Sequence, residues 1–124
     1  MSKQTPVEVE WVGDSLKQVR LFPQPVRQDI GNDLFDLQSG DMLLSAKPLK
    51  GIGTGVVEIV TRHDKDTYRT VVALKLAHRI YVLHAFQKKS KQGIKTPPRE
   101  INLIKQRYRL ALDIDKGYQN EQDK

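Results

Sequence analysis

The sequence contains no cysteine. That absence excludes disulfide frameworks, zinc sites built from thiolates and thiol nucleophiles, and it fits a reducing compartment. No stretch approaches the roughly 20 consecutive apolar residues of a membrane-spanning helix, and residues 1–6 lack the apolar core of a signal peptide. We therefore expect a cytoplasmic protein with no membrane partner.

Glycine and proline are also few, at 8 and 6 of 124 residues, which excludes collagen-like repeats and a disordered low-complexity chain. A chain of this length can bury one core without disulfide or metal staples. The three histidines stand at no metal-ligand spacing, and the glycine loop at 51–55 lacks the Lys-Ser/Thr of a nucleotide-binding P-loop. The sequence therefore predicts no bound metal and no cofactor.

The positive charge of the chain is concentrated in one segment. The formal net charge is +6, yet residues 88–109 alone carry eight Lys or Arg side chains against one acid, Glu100. A local basic field of this kind attracts polyanions such as RNA and speeds their encounter with the protein. The alternative is a solvated helix face whose lysines only keep the protein in solution.

The first part of the chain predicts a short strand and a helical hairpin. Residues 7–11 alternate between apolar and acidic side chains, as in a half-buried strand. Apolar residues at helical spacing then indicate two helices. Asp14 caps the first in this interpretation and Pro23 ends it, while the second begins near Pro25 and ends at Gly40.

The second part of the chain predicts an antiparallel meander and a last helix. Residues 47–55 have the glycines and proline of a loop. Three segments rich in β-branched residues, 56–62, 68–76 and 80–88, predict strands joined by short turns, with the first strand of the chain free to join an edge. Thr96-Pro97 has the pattern of an N-cap followed by the first position of an amphipathic helix.

These segments together predict an α+β fold. Its antiparallel sheet has three to four strands, with an N-terminal helical hairpin and a C-terminal helix. Residues 1–112 form a single domain in this interpretation. Residues 113–124 are rich in Asp, Lys, Gln and Asn and predict a frayed polar tail.

Polar residues on the predicted strands form the candidate reaction site. Folding the first hairpin brings Glu58, Arg62 and Arg69 near one another. A carboxylate beside guanidinium groups suits RNA cleavage by the 2′-hydroxyl, because one group takes the proton and the others stabilise the charge that grows on phosphorus. The alternative is a cross-strand salt bridge of small energetic value. For His84, inside an apolar strand, a hydrogen-bonded core histidine is favoured over an active-site base.

The order of several segments closely resembles a known family. The most distinctive of them is Phe86-Gln87-Lys88-Lys89-Ser90 after an apolar strand, followed by Thr96-Pro97 and an amphipathic helix. The segments that share this likeness, between residues 7 and 112, are 14–17, 22–23, 26–31, 47–53, 68–69 and 81–90. They resemble the phage-derived, HigB-type branch of the RelE/ParE toxin superfamily.

The resemblance implies a RelE-like fold for residues 1–112 and the toxin role in a type II toxin–antitoxin pair. Such toxins typically cleave mRNA without a metal, often on the ribosome. Their partner is usually a helix-turn-helix antitoxin. The expected partners are therefore mRNA, the ribosome and a cognate antitoxin.

The resemblance also assigns roles to individual residues. Lys47 and Lys50 match positions that touch phosphate, and Glu58 and Arg69 match the polar pair of the central strands. At the end of the last strand, three residues match family positions with an RNA-binding role. They are Phe86, Lys88 and Lys89. Two interpretations of the phenylalanine stay open, because its ring suits both stacking on a base and packing in the core.

One position departs from the family pattern. Many relatives have Glu-Leu-Arg in the first hairpin strand, where this chain has Glu58-Ile59-Val60. Arg62 lies two residues on, on the same strand face, and is the candidate to compensate. The departure favours the alternative of a non-catalytic, phage-derived accessory protein that binds nucleic acid or a partner. Inhibition of a topoisomerase, as in the ParE branch, fits the lysine-rich strand end less well.

Overall fold

A computed structural model describes residues 7–88 and 96–122. Its helices and strands, in chain order, are β1 (Val9–Trp11), α1 (Ser15–Arg20), α2 (Gln24–Gln38), β2 (Ala46–Pro48), β3 (Val56–His63), β4 (Asp66–Ala73), β5 (Ile80–Lys88) and α3 (Pro98–Gln122). The predicted α+β class, the two N-terminal helices and the C-terminal helix are confirmed.

The sheet has five strands in the order β1-β5-β4-β3-β2, so the prediction of three to four strands was wrong. Strands β2 to β5 pair antiparallel, but β1 lies parallel to β5, with Val9 opposite Ile80. A parallel pair needs a long crossover connection, which α1, α2 and the strands that follow supply. The sheet is therefore mixed and not purely antiparallel.

The additional strand is β2, in a segment whose glycines and proline predicted a loop. Ala46 pairs with Ile59 and Lys47 pairs with Glu58 at the outer edge of β3. A proline and a lysine are tolerated in such a short edge strand, because its outer side has no ladder to complete. Strand pairing thus overrides the local turn signals, and it fixes Lys47 on the edge strand, opposite Glu58 of β3.

One face of the sheet is covered by α1 and α2. Helices α1 and α2 and the turn between them bury apolar side chains at helical spacing. These side chains are Val19, Phe22, Val26, Ile30, Leu34 and Leu37. They pack on Ile59, Val72 and Val82 of the central strands. This core is the one that the apolar stripe of the second helix predicted.

The other face is covered by α3, which packs Ile104 and Ala111 against Val71 and Tyr81. A bulge in β5 shapes this face, because Val71 pairs with His84 while Val72 pairs with Val82. Leu83 is therefore an additional residue, and it shifts the alternation of β5. As a result His84 lies on the α3 face with Phe86, whereas Val82 belongs to the opposite core.

Helix α3 continues to Gln122, through residues for which the composition predicted a frayed tail. The contacts of Asp115, which is only 8% exposed, explain why residues 113–122 are helical and not frayed. Its carboxylate accepts hydrogen bonds from the backbone amides of Ala77 and His78, at 2.9 and 3.0 Å, and from the Tyr81 hydroxyl at 2.7 Å. A polar residue therefore fixes the helix to the β4–β5 connection.

Within residues 7–88 and 96–122, no helix is both long enough and apolar enough to cross a membrane.

Replacement of Asp115 by alanine tests this anchor. Burial by itself would raise the pKa of Asp115, but the hydrogen bonds from Tyr81, Ala77 and His78 outweigh it and lower the pKa. We expect Asp115→Ala to reduce the free energy of unfolding by about 2–4 kcal/mol, since the buried Tyr81 hydroxyl and two partly buried amides lose a charged acceptor. Urea unfolding measures this, with the exposed Asp113→Ala of the same helix as control.

The same carboxylate predicts a pH dependence. Because its pKa is lower in the folded than in the unfolded protein, its contribution is complete above the unfolded value of about 3.9 and is lost as the pH falls through the folded value. The difference in stability between wild type and Asp115→Ala should therefore shrink in acid. A difference that stays constant with pH would contradict the anchoring role of the carboxylate.

Candidate functional site

Charged side chains occupy three successive rungs on the α3 face of the sheet. Glu58 lies on the first rung, opposite Lys47, and Arg69 lies on the second, between Val60 and Phe86. Directly opposed residues point to the same face, and rungs on one face are about 7 Å apart along a strand. The register therefore places Glu58 and Arg69 side by side, as the hairpin predicted.

Lys88 occupies the third rung, opposite Thr67 of β4. It lies on the same face as Arg69, one rung further from Glu58. Arg62 of β3 lies opposite the same threonine, so the three rungs carry first Lys47 and Glu58, then Arg69, then Arg62 and Lys88. The sequence could not show this order, because it depends on the register of β3, β4 and β5.

The pair on the first two rungs is a buried ion pair. Arg69 Nη1 donates to Glu58 Oε1 at 2.5 Å, and the two side chains are 11% and 7% exposed. Glu58 Oε2 accepts a second hydrogen bond from the Thr96 hydroxyl at 3.1 Å. The salt bridge that the sequence left as an alternative is therefore present, and it is shielded from solvent, unlike an ordinary surface pair.

Two cationic donors at this site have no hydrogen-bond partner within the part of the chain that the structure describes. They are Arg69 Nε and Lys88 Nζ, and both atoms are buried. Burial lowers the pKa of Lys88, the charge of Arg69 lowers it further, and the Glu58 carboxylate offsets part of the effect. Arg69 is thus paired with Glu58, while Lys88 is influenced by both charges without a hydrogen bond to either.

His84 lies beside this cluster in a hydrogen-bonded network. Its Nε2 is 2.8 Å from Glu100 Oε1, and its Nδ1 is 3.1 Å from Arg107 Nη1. A guanidinium only donates, so Nδ1 accepts and Nε2–H donates to Glu100. Arg107 also binds Asp14 at 2.5 Å. The prediction of a hydrogen-bonded histidine is confirmed. Asp14 stands at the predicted N-cap position of α1, but its side chain makes no capping hydrogen bond and instead accepts from Arg107 and Gln18.

The remaining candidate residues are distributed around the cluster. Lys47 and Lys50 are exposed, as a phosphate-binding role requires. Arg62 is also exposed and makes no ion pair with a described residue; with Asp29 and Asp33 of α2 it lines a shallow depression. The structure thus pairs Glu58 with Arg69 alone; Val60 lies opposite Arg69, and Arg62 lies opposite Thr67 on the next rung of the same face.

At the end of β5, Phe86 is 7% exposed and its ring stacks on His84, with ring centroids 5.2 Å apart. This position fits the core interpretation of the phenylalanine, since little of the ring is accessible to a base. Lys88 is buried and is not a surface residue. Lys89 lies outside the described residues.

Three contributors to the site were missed by the sequence interpretation. Thr96 was assigned as a helix cap, but α3 begins at Pro98 and the hydroxyl binds Glu58. Glu100 and Arg107 were counted only as charges of the last helix. The sequence indicates only that these two residues, seven positions apart, lie on the same side of a helix. What they contact depends on how α3 packs.

The arrangement has the components of acid–base chemistry on a phosphate. Glu58 is a carboxylate fixed by two hydrogen bonds, and Arg69 and Lys88 present buried N–H donors. In a site with little water such donors stabilise a developing oxyanion far more strongly than in solution. Residues 7–88 and 96–122 contain no cluster of acidic or histidine side chains that suits a metal ion.

Comparison with known proteins gives one match. A family model described as phage-derived protein Gp49-like matches residues 17–109, three quarters of the chain. This span includes most of α1, all of α2, β2 to β5 and the first half of α3. No curated protein matches, and no solved structure matches.

Replacement of Arg69 by alanine tests the buried pair. It leaves Glu58 charged and buried, so we expect the free energy of unfolding to fall by about 3–5 kcal/mol. The double replacement Glu58→Ala/Arg69→Ala should cost less than the sum of the two single replacements, because the pair is then lost as a unit. Chemical denaturation measures all three, with the exposed Arg109→Ala as control. Additive effects would contradict the pairing.

Proposed function

The chain belongs to the Gp49-like family of phage-derived proteins, a RelE/ParE-like toxin family of toxin–antitoxin systems, and we propose that it is a metal-independent mRNA endoribonuclease of the HigB type. The observation that carries this proposal is the buried Glu58–Arg69 pair, beside cationic donors that find no partner among the residues the structure describes. A structural salt bridge needs one cation for one carboxylate. The surplus cation is what a phosphate-binding site requires.

The proposed reaction begins at Glu58. Its Oε2 already accepts a hydrogen bond from the Thr96 hydroxyl, and that hydroxyl stands in for the 2′-hydroxyl of a bound nucleotide. When the substrate replaces it, Glu58 takes the 2′-OH proton and the 2′-oxygen attacks the adjacent phosphorus. Arg69 stabilises the charge that develops on the non-bridging oxygens. The bond to the 5′-oxygen breaks, which leaves a 2′,3′-cyclic phosphate and a 5′-hydroxyl end.

Binding to RNA is proposed to come from the lysines around the site. Lys47 lies across from Glu58 on the edge strand, and Lys50 follows two residues after that strand. Both are exposed, so each can reach a phosphate that flanks the reacting one. Lys88 and Lys89 complete the set of lysines that the sequence predicts to bind RNA. The proposed partners are mRNA, the ribosome and a helix-turn-helix antitoxin, in the cytoplasm.

Induction of the protein in a bacterial host tests the activity. We expect growth arrest and new mRNA 5′ ends from the wild type, and a loss of about 10²–10⁴-fold in cleavage for Glu58→Gln, which keeps the shape but removes the base. The matched control is Glu121→Gln, the same change at an exposed position on α3. Intact mRNA and normal growth, from folded wild-type protein, would instead support the accessory-protein alternative.

The salt dependence of RNA binding tests the role of the lysines. About four phosphate contacts on a single strand predict a slope near −3 for log affinity against log salt. Removal of two contacts in Lys47→Ala/Lys50→Ala should reduce the slope by about 1.4. Fluorescence anisotropy with a labelled RNA measures this, and Lys17→Ala/Arg20→Ala on α1 is the control. A slope near zero for the wild type would exclude electrostatic binding of RNA by these lysines.

A further inference from the structure

A shallow depression lies at the edge of β3 that β2 leaves uncovered. Strand β2 pairs with β3 only as far as Ile59, and the Val60 amide then donates to the Ser45 carbonyl. Beyond that point the edge of β3 faces α2, and the depression between them has a volume of about 340 Å³. A volume of this size is in the range of small-ligand sites. The depression therefore has room for one planar group beside the candidate reaction site.

Charges of opposite sign line this depression without pairing. Asp29 and Asp33, four residues apart on one side of α2, contribute two carboxylates, and Arg62 contributes a guanidinium. None of these three side chains makes an ion pair or a hydrogen bond with a residue that the structure describes. Burial raises the pKa of Asp33, and the charges of Asp29 and Asp36 raise it further. Asp33 is thus a carboxylate that lacks hydrogen-bond donors.

A buried hydroxyl in the same lining also lacks a partner. Thr61 is 6% exposed, and its hydroxyl has no hydrogen-bond partner within residues 7–88 and 96–122. A buried hydroxyl in this state costs free energy, and a ligand that supplies the partner recovers it. The depression therefore combines carboxylate acceptors from α2, a hydroxyl of β3 and one cation.

The position of the depression connects it with the proposed substrate. Arg62 lies on the rung after Arg69, on the same face and about 7 Å further along the sheet. A phosphate bound by Arg62 therefore neighbours the one proposed to react at Arg69, and its nucleotide reaches the depression. A basic peptide would suit two carboxylates, but the nearby charges of Arg62, Arg69 and Lys88 oppose it.

We propose that this depression binds the base of a nucleotide next to the cleaved bond and selects guanine, with Asp33 as the residue that recognises it. The inference rests on the proposed function and names a base of its substrate. The Watson–Crick edge of guanine presents two adjacent N–H donors to a carboxylate and its O6 to the Thr61 hydroxyl. Adenine and cytosine place a ring acceptor against the carboxylate, and uracil has one donor between two carbonyls. Arg62 binds the phosphate of the same nucleotide.

Binding of RNA that cannot be cut tests the selection separately from catalysis. Short 2′-O-methyl oligouridylates with one central guanosine, adenosine or inosine lack the attacking 2′-hydroxyl, and fluorescence anisotropy measures their affinities. We expect the guanosine oligomer to bind about tenfold more tightly than the adenosine oligomer, as a bidentate contact to a base commonly provides. Inosine lacks the 2-amino group of guanosine, so its oligomer should lie between the two.

Asp33→Asn tests the residue that recognises the base. Asparagine keeps the shape but replaces one acceptor oxygen with a donor group, so the preference for guanosine over adenosine should fall to about twofold or less. Asp36→Asn, the same change on α2 outside the depression, should keep the preference. Equal affinities of the wild type for all three oligomers, or an unchanged preference in Asp33→Asn, would overturn the inference. Because Asp33→Asn removes a charge that burial disfavours, its thermal melting temperature should not fall.

Arg62→Gln separates phosphate binding from base selection. Loss of one phosphate contact should weaken binding of every oligomer alike and reduce the slope of log affinity against log salt by about 0.7. The matched control is Arg27→Gln, at an exposed position of α2 outside the depression. An unchanged slope in Arg62→Gln would overturn the role of Arg62 in the inference.

The pattern of cleavage distinguishes failure of this inference from failure of the proposed function. After induction, the mRNA ends made by the wild type and by Asp36→Asn should have guanosine enriched at one fixed position relative to the cut. Cuts made by Asp33→Asn should lose that enrichment. Cleavage by the wild type without guanosine enrichment would overturn the inference alone. Selective binding of the guanosine oligomer without any cleavage would refute the endoribonuclease and support the binding site.

Discussion

The buried ion pair between Glu58 and Arg69 is the interaction on which the rest of the site depends. It joins the two central strands on the face beneath α3, and the Thr96 hydroxyl just before that helix binds the same carboxylate. A buried pair of this kind adds little stability by itself, since desolvation offsets much of the attraction. The contribution of the pair is to position its two side chains. It holds a carboxylate and a guanidinium at fixed places, and removal of either partner leaves an uncompensated charge in the core.

The surplus of positive charge beside that pair is the feature on which the proposed reaction site rests. Lys88 and Arg69 together present buried donors that the described residues do not satisfy. The chain thus has exposed and buried cations, and the proposed function assigns a different role to each kind. Exposed lysines on and near β2 are suited to long-range attraction of RNA and to phosphate contact. The buried cations have a lower effective dielectric around them, so they act more strongly on charge at a single phosphate.

Much of the fold was predictable from local patterns. The apolar stripe of α2, the bounds of β5 and the pairing of β3 with β4 followed from periodicity and turn residues, and the register of that hairpin brought Glu58 and Arg69 together as expected. Strand β2 was missed because its Lys-Pro sequence has turn character and only edge pairing makes it a strand. The helical residues beyond Leu112 were missed because their stability depends on the distant contacts of Asp115.

The sequence by itself determined the fold class, the basic segment and the family, since composition, hydrophobic period and ordered motifs are properties of neighbouring residues along the chain. Only the tertiary structure decided which charges meet. Sheet register placed Glu58, Arg69 and Lys88 on successive rungs, and the bulge at Leu83 turned His84 toward α3. Packing also left Arg62 exposed and outside the ion pair, and it buried Phe86. The physical reason is that burial and long-range pairing depend on packing between segments far apart in sequence, which no local pattern encodes.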